Sequence, residues 1–468
     1  FSNNFKMNRT WWKEGVVYQI YPRSFKDSSG NGIGDIYGII EKLDYIKSLG
    51  VNMIWICPIY SSPNDDNGYD ISDYRKISEE FGGNKAFDIL LKEMHKRDLK
   101  LIMDLVANHS SDEHKWFQEA KKGEKNPYHD YYIWKRGVAG VPPNNWLSVF
   151  SGSAWQWDSN LNKYYLHLFT KKQPDLNWEN PRVRDEIYDV LNFWFSKGVD
   201  GFRMDVISFI SKKLDFPSAK KGTSLPQMME NIYANGPRIH EFLKEMNKKV
   251  FSKYDVVTVG EGPGVNLKTG LNYVDENEQE LNMVFHFDHL QIDFGPEGKF
   301  DPQPLDFIKF KKVFSDWDCY LKHKGWNSIF LGNHDFSRIV SRFGNDKKYR
   351  NQSAKLLATL LMTLRGTPYI YQGDEIGMTN VKYPSIDYYD DIETRNAWKE
   401  AEEQGKYMDI FLKAVHRQSR DNARTPLQWD NSRFAGFSNT KPWLDVNENY
   451  NKINVELQQN DSDSILNY

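Results

Sequence analysis

Apolar positions along the chain fall into two alternating kinds of run. Short, nearly continuous apolar stretches such as VVYQIYP (16–22), VNMIWICP (51–58) and LIMDLVANH (101–109) alternate with longer ones. In the longer stretches, such as IYGIIEKLDYIKSLG (36–50) and KAFDILLKEMHKRDL (85–99), apolar residues recur every three to four positions. The first kind is the pattern of buried strands, the second that of amphipathic helices. Helix-like RVRDEIYDVLNFWFSKG (182–198) and IHEFLKEMNKKVF (239–251) lead to strand-like GVDGFRMDV (198–206) and DVVTVGE (255–261). NMVFHFDH (282–289), WNSIFLGNHD (326–335) and TPYIYQGDE (367–375) follow, separated by FIKFKKVFSDWDCYLKH (307–323) and SAKLLATLLMTLRG (353–366). Eight strand candidates with helices between them predict parallel strands and crossover helices. That is an α/β chain, and a (β/α)8 TIM barrel fits better than a doubly wound sheet.

One segment breaks the rhythm. Residues 110–177 are rich in Tyr, Trp, Asn, Gly and Pro and offer no clear crossover helix. They predict an irregular inserted domain after strand three. The organisation expected is therefore residues 1–109 as the first part of the barrel, 110–177 as the insert, and 178–468 as the second part. The stretch 376–468 reads as loop-rich, with only a weak candidate for an eighth barrel helix.

Composition adds bounds. An apolar content of 39% over 468 residues supports a sizeable core. Aromatic residues make up 15%, with 15 Trp, a surplus that lines carbohydrate sites in some proteins and fills cores in more. The net charge of −3, without a long basic run, argues against nucleic acid or an anionic membrane surface as partner. No apolar run approaches the roughly 18 residues that span a bilayer. The N-terminal FSNNFKMNRT does not read as a secretory signal, and its lack of a starting Met fits processing or trimming. Cys57 and Cys319 read as two buried thiols rather than a disulfide, which suits a cytoplasmic protein.

Charged residues collect where the strand candidates end, the end at which parallel barrels build active sites. Asp104 and Asn108–His109 close strand three, Arg203 and Asp205 strand four, Glu261 strand five, and His334–Asp335 strand seven. Each has a plain structural alternative: a satisfied buried carboxylate, a turn, a barrel salt bridge. Their joint placement at one end is what favours a site. Several carboxylates at one mouth suit glycosidic cleavage, which needs a proton for the leaving oxygen and an anion facing the anomeric carbon. Arg203, two positions from Asp205, would favour its ionised form and mark it as the nucleophile. Glu261 has no cation beside it in sequence and is the candidate acid.

DLVANH (104–109), GFRMDV (201–206), GE (260–261) and GNHD (332–335) resemble the four ordered signature regions of the α-amylase superfamily of glycoside hydrolases, glycoside hydrolase family 13. QPDLN (173–177) resembles a further region near the end of that family's inserted domain. The similarity runs from WWKEGVVYQIYPRSF (11–25) through RDNARTPLQW (420–429), and is greatest to the oligo-1,6-glucosidase, α-glucosidase and sucrose isomerase group. The resemblance implies Asp205 as nucleophile, Glu261 as acid/base and Asp335 as the third carboxylate. It places Asp66, Tyr69, His109, Phe150, Phe169, Gln173, Arg203, His334 and Arg420 around a terminal glucose. Asp66 and Arg420 would seal the pocket's end, and a sealed end implies action on chain termini. Val206 would face the leaving sugar; in similar enzymes Val there goes with α-1,6 bonds and sucrose, and Thr with α-1,4 bonds. The function implied is a retaining, exo-acting α-glucosidase acting on short oligosaccharides, as a monomer or weak oligomer. The alternatives are a sucrose isomerase or transglucosidase, and a trehalose-6-phosphate hydrolase. A non-catalytic transporter-partner ectodomain fits poorly, because the carboxylates and Arg203 are kept.

The sequence also departs from the family pattern. DSSGNGIGD (27–35) resembles a calcium loop, with Asp27, Ser29, Asn31, Ile33 and Asp35 as the ligand positions of a structural Ca2+; no cofactor is implied for catalysis. Ser29 and Asn31 stand where relatives carry Asn and Asp, and the alternative is a Gly-rich turn held by Asx hydrogen bonds. Phe336 follows the third carboxylate where relatives often carry a polar residue, and Gly262 follows the acid where they carry a larger one. Residues 289–301 lack the Arg-rich loop of sucrose isomerases, which favours hydrolysis. The C-terminal β domain of relatives is not expected within this chain.

Overall fold

The computed structural model describes residues 10–468; the reading of the N-terminal segment rests on residues 1–9 and lies outside them. Eight parallel strands form the central sheet: β1 (Val17–Ile20), β2 (Met53–Ile56), β3 (Lys100–Val106), β4 (Gly201–Asp205), β5 (Val257–Gly262), β6 (Met283–His286), β7 (Ser328–Ile329) and β8 (Thr367–Tyr371). Their order is β6-β5-β4-β3-β2-β1-β8-β7, so the last neighbours, β6 and β7, meet where the sheet curls into a barrel. At that seam the Ser328 hydroxyl donates to the Val284 carbonyl at 2.9 Å. Every strand expected from the apolar runs is present.

Strand side chains alternate, and the alternation separates two cores. Val17, Met53, Trp55, Ile102, Val257, Val259, Met283, Phe285 and Tyr369 fill the barrel interior. The intervening Tyr18, Ile54, Leu101, Met103, Phe202 and Met204 pack outward against the helices. The helix Pro181–Lys197 shows how the chain delivers β4. Asn180 caps it by accepting from the Arg182 N–H, Pro181 stands in the first turn, and Gly198 ends it at φ 104°.

The insert is more regular than its composition suggests. Trp134–Arg136, Lys163–Leu166 and Trp155–Asp158 form a three-stranded antiparallel sheet, and Lys115–Ala120 is a helix. Strands of three or four residues are too short to show a period. After β8, the stretch read as loop-rich contains the helices Ile392–Glu403 and Met408–Gln418. The first buries only Thr394 and Ala401, so it carries almost no apolar stripe to read. Both cysteines are free; Cys57 is buried as expected, but Cys319 is exposed. Among the described residues no helix is long and apolar enough to cross a membrane.

Candidate active site

β3 and β4 pair in a register that sets Asp104 beside Arg203 and Val106 beside Asp205. β4 and β5 pair Gly260 with Met204, which brings Glu261 level with Asp205 one strand over. The fully buried Arg203 guanidinium lies within hydrogen-bond range of three carboxylates. Nη1 donates to Asp104 Oδ1 at 2.9 Å and to Asp205 Oδ1 at 2.8 Å, and Nη2 lies 2.7 Å from Glu261 Oε2. The Trp55 and Tyr69 rings flank it, 5.0 and 5.6 Å from the guanidinium carbon.

This corrects the charge argument made from sequence. Arg203 does not single out Asp205, because Glu261 reaches the same guanidinium from β5. One cation cannot offset three buried anions. Burial raises the Asp205 pKa well above the usual carboxylate range, against the pull of Arg203 and with the repulsion of Glu261 and Asp104 added. Burial likewise pushes Asp104 up to about 6 despite its bonds to Arg203. Asp205 and Asp104 therefore hold a proton more tightly than exposed carboxylates do.

Val206, directly after Asp205, has φ 35° and ψ 41°, a left-handed conformation rarely taken by a β-branched residue. The turn aims the Val206 N–H at Glu261 Oε2, 3.0 Å away. The same residue thus orients the Glu261 carboxylate and presents its side chain to the cavity.

That cavity, about 1060 Å³, is lined by Asp205, Val206, Glu261 and Asp335 together with Asp66, Tyr69, His109, Phe150, Phe169 and Arg420. Arg203, Gln173 and His334 stand behind its wall. The Gln173 amide donates to Asp66 Oδ2 and to the Tyr69 carbonyl, both at 3.1 Å. His334 stacks on Tyr69 with ring centroids 5.2 Å apart. Arg420 ties Asp66, Asp335 and Asp391 together, at 3.1, 3.2 and 2.8 Å, with Phe150 over its guanidinium. Burial pushes Asp66 up to about 6 against Arg420. Asp335 is the reverse case. Burial would raise it, and His334 beside it is neutral, its own pKa pushed down to about 3 by burial. Arg420 and Arg424, 3.2 and 3.0 Å from Oδ1, hold Asp335 well below the usual carboxylate range.

The family described as "Alpha amylase, catalytic domain" matches residues 19–468. The chain belongs to the alpha-amylase family. As a member it is a glycoside hydrolase. It is 58% identical to the oligo-1,6-glucosidase of Parageobacillus thermoglucosidasius over 99% of this chain and 83% of that protein. It is 50% identical to the trehalose-6-phosphate hydrolase of Bacillus subtilis (strain 168), over 97% of this chain and 81% of that protein. The crystal structure of isomaltulose synthase from Klebsiella sp. LX3 superposes with a TM-score of 0.96 at 48% identity, covering 98% of this chain and 83% of that one.

In this alpha-amylase family member several site residues carried no readable sign in the sequence. Asp391, fully buried against Arg420, sits in a loop far along the chain. Arg424 follows Arg420 by one helical turn, a spacing that could have suggested a second guanidinium at Asp335. Lys299 donates to the Asp335 carbonyl at 3.0 Å from an unremarkable GKFD stretch. Lys212 is buried against Asp175 at 3.0 Å and Asn108 at 2.7 Å. Phe336 lines the cavity under Lys299, whose ammonium lies 5.2 Å from the ring centroid. Gly262 has a local cause: a Cβ there would come within 2.8 Å of Val265 and Val284.

In the calcium-like loop both carboxylates are engaged by hydrogen bonds from the loop itself. Asp27 Oδ1 accepts from the Ser29 and Gly30 N–H groups, and Oδ2 from Gly32 N–H and the Ser438 hydroxyl. Asp35 accepts from Ser28, Ser29 and Gly38. The Asn31 side chain caps the Ile33 N–H. Among the described residues no group of three or more His, Cys, Asp or Glu is arranged to hold one.

Proposed function

We propose that the protein is a retaining, exo-acting α-glucosidase that releases terminal glucose from short oligosaccharides, α-1,6-linked ones of the isomaltose type first. The observation that carries this reading is one guanidinium hydrogen-bonded to Asp205 and 2.7 Å from Glu261 at the wall of a single cavity. Retaining cleavage uses two carboxyls about 5–5.5 Å apart, one attacking and one giving a proton. Asp205, at the rigid end of β4, attacks the anomeric carbon and forms a glycosyl ester. Glu261 gives its proton to the departing oxygen, then takes one from the water that hydrolyses the ester. Asp335, kept anionic by Arg420 and Arg424, faces the sugar as a fixed negative charge, which favours the cationic character of the transition state. We read the Asp66–Arg420 pair, 3.1 Å apart in the cavity lining, as its closed end, which supports a terminal cut.

The similarity to an oligo-1,6-glucosidase supports the linkage. The likeness to an isomaltulose synthase favours a second reading, in which a sugar hydroxyl in place of water takes the glucosyl group. Free thiols at Cys57 and Cys319 fit a reducing, cytoplasmic setting. Product analysis on isomaltose, maltose, sucrose, trehalose and trehalose-6-phosphate separates the possibilities. Glucose released first as the α-anomer from isomaltose, and lost in Asp205→Ala, is expected. Turnover surviving in Asp205→Ala would dismiss the assignment.

A further inference from the structure

The cavity, at about 1060 Å³, lies at the upper end of the volume that encloses a drug-sized ligand and exceeds what one terminal sugar fills. Beyond Asp335 it runs on as an arm. The arm is lined by the hairpin of Phe294–Gly295 and Gly298–Pro302 and by the helices Ile392–Glu403 and Met408–Gln418 with the loop between them, the hairpin packing on the second helix at its base.

The hairpin is held unevenly. At its inner part Lys299 donates to the Asp335 carbonyl at 3.0 Å and to Glu393 at 2.7 Å. Phe300 packs on Phe411 with ring centroids 5.7 Å apart. The turn has no such anchor. Gly298 takes φ 95° there, and Glu297 reaches across the arm to Lys406 at 2.6 Å. The side chains of Lys406 and Glu297 are 36% and 66% exposed, so water competes for both charges and the bond is easily broken. A half-buried inner anchor and a more exposed outer tie describe a wall fixed at its base and openable at its tip.

We propose that the Glu297–Lys406 ion pair closes the outer end of the substrate cavity and so sets how many sugar units of the leaving chain the enzyme accepts. The inference rests on the glucosidase reading and adds its length specificity. With the pair closed, the arm ends at the hairpin tip and favours short substrates. With it open, Phe294 and Phe300 offer apolar faces to the rings of further units.

The test compares kcat/KM on isomaltotetraose and isomaltose for the wild type, Glu297→Ala, Lys406→Ala and the charge-swapped pair Glu297→Lys/Lys406→Glu. In each alanine variant the tetramer-to-dimer ratio is expected to rise by up to about fivefold, the ceiling for losing an exposed ion pair. The swapped pair should return it to the wild-type value. Salt at ~1 M, where screening acts within ~3 Å, should raise the ratio in the wild type and not in the alanine variants. A ratio unchanged or lowered in the alanine variants, or a swap that fails to restore it, would overturn the latch. Cleavage of isomaltose by the wild type tests the underlying activity separately, and its absence would overturn both.

Discussion

Val206 pays a conformational cost that a glycine would not. A β-branched residue at φ 35° is strained by about 1–3 kcal/mol, and such strain persists only where the surroundings over-determine it. Its N–H is spent on Glu261 and its side chain on the cavity wall beside Phe169 and Phe209. A change confined to the side chain should therefore alter the fit of the leaving sugar and leave the Glu261 contact in place. Val206→Thr is expected to raise the ratio of maltose to isomaltose cleavage by about tenfold, the scale of one altered group in a pocket. Specific activities on the two disaccharides decide it, and an unchanged ratio would remove Val206 from linkage choice. Arg203 marks the limit of reading at this scale. Strand alternation correctly set it beside Asp205, but only the register of β5 brings Glu261 to the same guanidinium.

At the scale of elements, Lys212 is the pin between barrel and insert. Its ammonium meets Asn108 at the end of β3, Asp175 at the end of the insert and the Phe209 carbonyl after β4, out of reach of solvent. Asn108 in turn contacts the His109 ring at 3.2 Å, so the pin also steadies a cavity wall. Removing one partner of a buried pair strands the other, at a cost of about 3–5 kcal/mol. Lys212→Met should lower the thermal midpoint markedly, and Lys212→Met/Asp175→Asn should recover part of the loss, since no bare carboxylate then remains. A single variant melting with the wild type would show that the pin is dispensable. The eight strands were legible because each is a dense apolar run. The insert's sheet and the helix Ile392–Glu403 were not, because their order comes from contacts made at a distance: Trp146 with Tyr233, for one, and Asp391 with Arg420.

At the scale of the whole molecule, Asp66 and Asp104 titrate in the opposite sense to the buried imidazoles, which separates loss of activity from loss of fold. Asp66 and Asp104, raised by burial to about 6, are ionised above that pH and pair with Arg420 and Arg203. Acidification through about 6 protonates them and removes those pairings from the site. For stability the sign reverses: a carboxyl raised above its unfolded value of about 3.9 contributes stability below that value and loses it as pH rises through about 6. His109 and His334, pushed down by burial to about 4 and 3, contribute stability above the unfolded value of about 6.5 and lose it as pH falls. Near pH ~5 the two kinds of group offset one another in stability while the site is already protonated. His114 and His289, both held down to about 3, add to the acid side and bring on unfolding at lower pH. The expected outcome is an acid limb of kcat/KM with an apparent pKa of about 6, with far-UV circular dichroism unchanged at pH ~5 and full activity on return to neutral pH. Activity and ellipticity falling together, or a limb displaced to about 4, would mean that these carboxylates do not carry the charge the site needs.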